Sequence, residues 1–278
     1  MSATDAVTRL LGSTATSERV VGAGASGTVH RVELADGRAV AAKERSAPER
    51  DGTRAEAASL AWLGIAVPEV LAWDEDWLVM RYVEPGEPTA LAAEELGRAL
   101  AAIHAQPVTA YGAPPTGGPR DAWIGPVPMR NEECGSWAEF YSRLRVEPYV
   151  RMAVDRGHLT RDEAREFDRT WSVPDEAPAR VHGDLWNGNV HWGRERAWLI
   201  DPAAHGGHRE SDLAMLELFG CPHLERVRAA YLEVAPLADG WRDRVALHQL
   251  FPLLVHTAAF GRGYAGRAVE AARRTVVG

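Results

Sequence analysis

The stretch His182-Gly183-Asp184-Leu185-Trp186-Asn187-Gly188-Asn189, with Asp201 twelve residues beyond it, decides the fold of this chain. Asp184 and Asn189 are five residues apart, which suits one short loop. Asp201 ends an apolar run, 197–200, that is typical of a buried strand. Phosphoryl-transfer sites use this order: an Asp meets the acceptor hydroxyl, an Asn holds a metal, and a later Asp holds metal at the phosphates. The spacing therefore predicts a catalytic Asp184 and a Mg²⁺ ion held by Asn189 and Asp201.

Lysine content points to a second position. The chain has 31 basic residues, and Lys43 is the only lysine among them. It ends Val40-Ala41-Ala42-Lys43, which is similar to the strand that carries the phosphate-binding lysine of protein kinases. Coding bias explains the arginines elsewhere, but a guanidinium does not easily replace a compact ammonium that must reach phosphate oxygens. We therefore predict that Lys43 binds the nucleotide. Glu56, thirteen residues later on a predicted helix, is expected to pair with it; a solvated helix glutamate is the alternative.

Three glycines, Gly22, Gly24 and Gly27, form a Gly-x-Gly-x-x-Gly pattern. The pattern alone is weak, because dinucleotide-binding folds use it between a strand and a helix. Here the residues after Gly27 alternate with period two and end in the turn Asp36-Gly37, which favours a hairpin over a helix. We predict a loop that covers phosphates. A plain hairpin and a dinucleotide site are the alternatives.

Composition limits the class of protein. A length of 278 residues allows one large domain or two modest lobes. The net charge of −8 argues against a nucleic-acid partner. The N-terminus lacks the apolar region of a signal peptide, and the apolar runs are too short to span a bilayer. Two cysteines, Cys134 and Cys221, make a disulfide framework an unfavourable interpretation. We expect a cytoplasmic monomer without a membrane partner.

Residues 1–83 have the pattern of a small nucleotide-binding lobe. A short helix over 5–12 is followed by predicted strands at 17–21, 29–34, 38–44, 68–73 and 77–83 and by a helix at 54–63. In such a lobe the end of the last strand holds adenine through its backbone. Met80, Arg81 and Val83 are therefore candidate adenine contacts, with Met80 packed beside the base. A plain core strand is the alternative.

Residues 84–278 are predicted to form a larger, mainly helical lobe with the catalytic and substrate-binding groups. The proline-rich segment 84–88 is the candidate hinge, and 105–136 is predicted to be a long loop. A catalytic hairpin is expected at 180–201, and helices at 91–104, 136–154, 160–170, 210–219, 224–234 and 240–274. The fold class is therefore α+β: a bilobal, protein-kinase-like fold with a small antiparallel-sheet N-terminal lobe.

Other polar and aromatic residues near the loop invite roles of their own. His182 is expected to bond backbone near Asp201, and Asp212 to fix the catalytic loop. Trp186 is either a stacking surface for a sugar or an amine, or a core residue. Four histidines, at positions 191, 205, 208 and 223, do not have the spacing of a zinc site.

With these residues in hand, the chain resembles the fructosamine/ketosamine-3-kinase family, within the wider aminoglycoside-phosphotransferase-like kinases. The resemblance covers nearly the whole chain and is most specific near the C-terminus. It is carried by Val181–Asn189, Asp201-Pro-Ala, Glu210-x-Asp-Leu-Ala-Met215, Leu218-Phe-Gly220, Leu250-Phe251…His256…Phe260-Gly-x-Gly-Tyr264 and Trp123-Ile-Gly125…Asn131…Trp137…Phe140…Arg145…Pro148.

The resemblance implies ATP- and Mg²⁺-dependent phosphorylation of the 3-hydroxyl of a ketosamine, either free or protein-bound. The product is unstable and releases the amine, so the activity repairs glycation. It also implies substrate contacts from Trp186, His256 and Tyr264. Two departures stand out: Met129 where glutamine is expected, and Ala25-Ser26 where some members carry cysteine.

Three other functions remain open at this stage. A kinase for another acceptor, such as an aminoglycoside, an amino alcohol or another sugar, would use the same ATP site. An inactive nucleotide-binding module is disfavoured because it would not need Lys43, Asp184, Asn189 and Asp201 together. A protein kinase is disfavoured by the His-Gly-Asp order and by the lack of an Ala-Pro-Glu segment after Asp201.

Overall fold

A five-stranded antiparallel sheet forms the N-terminal part of the protein. The computed structural model describes residues 1–24, 27–45 and 51–275. The strands follow the order β1-β2-β3-β5-β4 across the sheet. Their bounds are β1 (Ala15–Gly24), β2 (Gly27–Leu34), β3 (Ala39–Arg45), β4 (Val70–Trp73) and β5 (Trp77–Arg81).

Each face of this sheet is covered by one helix, α1 (Ala3–Leu11) or α2 (Gly52–Leu63). Along β5, Trp77 and Val79 belong to the cluster under α1, whereas Leu78 and Met80 pack against α2. This is the period-two alternation of a strand that is buried on both faces. The same alternation along β3 directs Lys43 towards α2, because its neighbour Ala42 lies in the α1 cluster.

The rest of the chain is mainly helical. Segment 82–89 leads into α3 (Ala90–His104), and the Gly86 amide in that segment donates to the carbonyl of Trp192 at 2.7 Å. The other helices are α4 (Trp137–Phe140), α5 (Glu147–Asp155), α6 (Arg161–Ala164), α7 (Glu210–Leu218), α8 (Leu224–Val234), α9 (Trp241–Phe260) and α10 (Ala265–Arg274). In the described part of the chain, every helix is too short or too polar to cross a membrane.

Two short antiparallel strand pairs place the catalytic loop. They are formed by β8 (Ala179–Val181) with β11 (His205–Gly207), and by β9 (Val190–Trp192) with β10 (Ala197–Leu199). The α+β class with a small antiparallel sheet, predicted from the sequence, is confirmed. The division into lobes after Val83 remains a prediction.

Four predictions of local structure were wrong. The helix predicted at 160–170 has only one α-helical turn, α6, and ends in a 3₁₀ turn at Phe167. The helix predicted at 240–274 is divided into α9 and α10 by Gly261 and a 3₁₀ turn, Arg262–Tyr264. The loop predicted at 105–136 contains a hairpin of β6 (Asp121–Ile124) and β7 (Val127–Arg130), which turns at Gly125-Pro126. The prolines and glycines that indicated a loop belong to this turn and its flanks. The helix predicted at 136–154 is interrupted by a π-helical stretch, Tyr141–Val146, between α4 and α5. Hydrophobic periodicity alone does not distinguish such a stretch from a continuous α-helix.

Candidate active site

A cleft of about 1400 Å³, including its open mouth, lies between the sheet and the helical part. Its wall collects residues that are more than 170 positions apart in the sequence. Ten of the predicted site residues line it: Gly22, Gly24, Gly27, Lys43, Glu56, Asp184, Trp186, Asn189, Asp201 and His256.

Lys43 lies at the centre of a buried ion cluster. Its Nζ atom donates to both carboxylate oxygens of Glu56, at 3.0 and 2.8 Å, and to Oδ1 of Asp201 at 2.8 Å. Burial by itself lowers the pKa of Lys43, but the two carboxylates outweigh burial and raise it, so the ammonium stays charged. The lysine is 2% exposed and Glu56 is 4% exposed, so Glu56 is not a solvated helix residue. Asp201 has a φ of 52°, and this left-handed turn ends the apolar run before it.

The catalytic loop brings two oxygen-bearing side chains together. Nδ2 of Asn189 donates to the carbonyl of Asp184 at 2.8 Å and to its Oδ2 at 3.0 Å. These bonds fix the amide orientation of Asn189, with Oδ1 as its remaining polar atom. Burial raises the pKa of Asp184 to about 7, against the Asn189 hydrogen bond, which lowers it. Positive charge beside this carboxyl would favour its ionised form, which is the form that accepts a proton.

Asp212 holds the loop from behind, as the sequence predicts. Its carboxylate accepts from the amides of His182 at 2.7 Å and Gly183 at 3.0 Å, and it lies 3.1 Å from Nε2 of His104. Burial opposes ionisation, but the hydrogen bonds from His104 and His182 hold the pKa of Asp212 below its usual value. The imidazole of His182 also meets the carbonyl of Ile200 at 3.0 Å. The predicted structural role of His182 is therefore confirmed.

Gly183 cannot be replaced without moving the loop. Its φ is +80°, and a Cβ at this position would lie 2.2 Å from the carbonyl oxygen of Ala203. Gly188 is constrained differently, because a Cβ there would enter the ring of Trp186 at 2.2 Å. Both glycines of the motif therefore allow close packing around Asp184.

We expect Gly183→Ala to lower kcat much more than Gly117→Ala does. Relief of the clash between its Cβ and the Ala203 carbonyl must displace Asp184. Gly117→Ala is a matched control, since Gly117 has a φ of +79° and nothing within 4 Å of its Cβ position. The control should lose about 1–2 kcal/mol of unfolding free energy from φ strain alone and keep its turnover. Denaturant melts and steady-state kinetics of both variants check this. Equal kcat values for the two variants would contradict the assigned role of the clash.

The three glycines of the pattern lie at the adjoining ends of β1 and β2. Gly24 pairs with Gly27 across the two strands, and Gly22, Gly24 and Gly27 all line the cleft. Only Gly27 is required by close backbone approach, because its Cβ would meet the carbonyl of Glu44 at 2.0 Å. Ala25 and Ser26, which differ from the cysteine of some family members, lie outside the described residues.

The predicted adenine contacts lie apart from the cleft wall formed by the described residues. Met80 packs with Ala57 beneath α2, and the Arg81 amide donates to the carbonyl of Glu69 at 2.8 Å. The carbonyl of Val83 meets Nε2 of His191 at 3.1 Å. An adenine-binding role for Met80, Arg81 and Val83 therefore stays a prediction. Sequence reasoning missed two apolar residues of the cleft wall, Val29 and Ile200, although each directly adjoins a motif that it had identified.

The other end of the cleft is aromatic. Trp186 is 39% exposed and Phe260 is 56% exposed, and both line the wall together with His256. Tyr264 lies behind this wall with its ring 5.1 Å from that of His256. Burial lowers the pKa of His256, which keeps its ring neutral.

Sequence reasoning did not identify Phe260 or the tip of the β6–β7 hairpin, residues 123–126, as parts of the wall. Met129 is fully buried in the core and does not face the cleft.

A second polar cluster lies behind the catalytic loop. Potential ligand atoms of His208, Glu210 and His248 all lie within 4.8 Å of one another. However, Arg244 donates to both carboxylate oxygens of Glu210, at 2.9 and 2.5 Å, and the Ser211 hydroxyl meets Nδ1 of His248 at 3.0 Å. These bonds occupy lone pairs that a metal would need. We therefore assign the cluster a structural role.

Comparison with known proteins gives a consistent family. The family model for fructosamine kinase matches residues 4–277. A crystal structure described as a candidate fructosamine-3-kinase from Thermobifida fusca is 46% identical, with a TM-score of 0.89 over 98% of this chain and 97% of that chain. A protein named a probable ketoamine kinase from Thermus thermophilus is 37% identical over 226 residues, 78% of this chain and 81% of its own.

A more distant likeness concerns the fold alone. A macrolide 2′-phosphotransferase type I is 18% identical, with a TM-score of 0.59 over 99% of this chain and 96% of that chain. The kinase-like fold predicted from the sequence is thereby confirmed.

Proposed function

Because the chain belongs to the fructosamine kinase family, we propose that it phosphorylates the 3-hydroxyl of a ketosamine, with ATP as the donor. The observation that supports this most directly is the meeting of Lys43, Asp184, Asn189 and Asp201 in one cleft, beside an aromatic wall. A nucleotide-binding module without activity would not need a partly buried carboxyl, that of Asp184, in the same cleft as the lysine.

Transfer needs few covalent contributions from the protein, so its residues act by position and charge. Lys43, held between Glu56 and Asp201, presents an ammonium to the phosphates of the donor. Asp184 accepts the hydrogen bond of the acceptor hydroxyl, orients the oxygen for in-line attack and takes its proton. Asn189 keeps Asp184 in this orientation through Nδ2.

The donor atoms in the cleft fit magnesium. Asp201 offers a carboxylate that is 33% exposed, and Asn189 offers a carboxamide oxygen; both are the hard oxygen ligands that Mg²⁺ prefers. We propose that these two residues hold the ion, which when bound neutralises charge on the phosphates. Sulfur and nitrogen ligands, which softer metals prefer, are not part of this set.

The aromatic wall supports a ketosamine as the acceptor. Trp186, His256 and Phe260 line the same cleft as Asp184, and the rings of Trp186 and Phe260 are exposed. Such surfaces bind sugars by stacking and attract the cationic amine that a ketosamine carries. The exposed positions of Trp186 and Phe260 at an open mouth are compatible with a protein-bound ketosamine, and repair of glycated protein is the role that we propose.

Purified protein should release ADP in the presence of Mg²⁺ and a ketosamine. A panel of fructosyl-lysine, ribulosyl-lysine, erythrulosyl-lysine, an aminoglycoside and choline tests acceptor class. We expect turnover on at least one of the three ketosamines and little on the last two. Turnover confined to the aminoglycoside or choline would preserve the kinase activity and overturn the proposed substrate.

A further inference from the structure

Arg145 is a buried cation without an ion pair among the described residues. It lies in the π-helical stretch and is 1% exposed. Burial lowers its pKa to about 10. A buried charge without a carboxylate is costly, and an apolar side chain of similar volume would ordinarily fill such a space more cheaply. The retained guanidinium therefore needs an explanation from its contacts.

Those contacts converge on the base of the β6–β7 hairpin. The guanidinium donates from Nη1 to the carbonyl of Arg130 at 2.9 Å and from Nη2 to Oδ1 of Asn131 at 2.7 Å. Asn131 is itself fully buried, and its backbone N–H donates to the carbonyl of Arg120 at 2.7 Å. The Arg145 side chain thus bonds both Arg130, the last residue of β7, and Asn131, which follows it and bonds back to Arg120.

Two aromatic rings hold the guanidinium of Arg145 in a fixed orientation. The guanidinium carbon lies 4.7 Å from the ring centre of Phe140 and 5.4 Å from that of Phe251. Aromatic faces on a planar cation fix its orientation, and its fork bonds two acceptors at once, which a lysine does not reproduce. The neighbouring turns of the π-helical stretch are already packed in the same core.

The tip of the hairpin forms part of the cleft wall. Residues 123–126 line the cleft together with Ala55 and Glu56 of α2, and Trp123 also borders Pro202 and Ala203, which follow Asp201. The hairpin tip therefore shares one cleft wall with Lys43 and Asp201, the residues proposed to act at the phosphates, and an acceptor must approach the terminal phosphate in this same cleft. The residues predicted from the sequence to meet adenine lie elsewhere, in and just after β5.

We propose that Arg145 and Asn131 form a clamp that positions the β6–β7 hairpin as a wall of the acceptor site. This inference rests on the proposed function for the identity of the acceptor. Arg145 acts through the hairpin, so it is a positioning residue and not a catalytic one. The clamp should govern acceptor binding and leave nucleotide binding nearly untouched.

The test compares Arg145→Met with Arg169→Met. Arg169 also donates to a buried carbonyl, that of Ala272 at 3.1 Å, and lies over an aromatic ring, that of Trp171, but it is remote from the cleft. Both variants should lower the melting temperature. We expect only Arg145→Met to raise KM for the ketosamine about tenfold or more, with KM for ATP within about twofold, because small displacements of a binding wall are costly. Amide hydrogen exchange over 121–130 should also speed up in that variant only.

A second pair of variants covers the case in which Arg145→Met does not fold. Asn131→Asp keeps the oxygen that Arg145 binds and should keep the acceptor KM, whereas Asn131→Leu removes it and should raise that KM. Equal shifts of KM for ATP and acceptor, or no shift in either Arg145→Met or Asn131→Leu, would overturn the clamp. If the wild-type protein turns over no ketosamine, the proposed function fails, and the exchange comparison still tests the positioning of the hairpin.

Discussion

Asp184→Asn is expected to lower kcat about 100-fold or more while nucleotide binding persists. The substitution keeps the size of the side chain and its contact with Asn189, but it removes the group that accepts the acceptor's proton, and such groups contribute about 10²–10⁴ in rate. Steady-state kinetics with a ketosamine and calorimetric titration with a non-hydrolysable ATP analogue measure the two effects separately.

Asp36→Asn provides the control for this prediction, because Asp36 lies in the exposed turn between β2 and β3. It should change neither turnover nor nucleotide affinity. If Asp184→Asn retained near-normal kcat, the catalytic assignment of Asp184 would be wrong. If it lost nucleotide binding to the same degree as turnover, the variant would have disturbed the cleft and not only the proton transfer.

Lys43→Met is expected to reduce both activity and stability. Loss of the ammonium should lower kcat/KM for ATP about 100-fold, the usual size of one electrostatic contact in a transition state. It also leaves the Glu56 carboxylate buried, with Arg45 at 3.1 Å as a remaining cation. Removal of one partner of a buried pair costs about 3–5 kcal/mol of unfolding free energy. Denaturant melts and ATP-dependent kinetics measure the two losses.

The double variant Lys43→Met/Glu56→Gln separates these losses. Neutralising Glu56 removes the uncompensated charge, so the double variant should be more stable than Lys43→Met while its activity remains low. Strictly additive losses of stability would show that Lys43 and Glu56 are not coupled, contrary to their 2.8 and 3.0 Å contacts.

The catalytic groups could be predicted from sequence because local spacing determines them. Asp184 and Asn189 lie on one short loop, and Asp201 comes two residues after the return strand β10, so the chain itself brings them within reach. The Lys43–Glu56 pair needed one further step. The helix α2 packs against the sheet that contains β3, so a buried lysine on β3 is expected to pair with a carboxylate on the facing side of α2. Glu56 is that carboxylate.

Residues placed by tertiary packing could not be predicted in the same way. The β6–β7 hairpin lies in a stretch whose prolines indicate a loop, and only its packing into the core with Phe140 and Phe251 makes it a wall of the cleft. The burial of Arg145 could not be predicted, because nothing local in the sequence shows that two aromatic rings will enclose it. The positions of Met80 and Val83 likewise depend on how the sheet meets segment 82–89, which strand periodicity does not specify.

The most direct test of a ketosamine 3-kinase is the structure of its product. Fructosyl-lysine or ribulosyl-lysine should be incubated with ATP, Mg²⁺ and the wild-type protein, and the phosphorylated product examined by ³¹P and ¹H NMR. We expect one phosphate on the 3-hydroxyl, followed by release of free lysine, and no product with Asp184→Asn. A phosphate on another hydroxyl, or ADP release without any phosphorylated ketosamine, would contradict the proposed function.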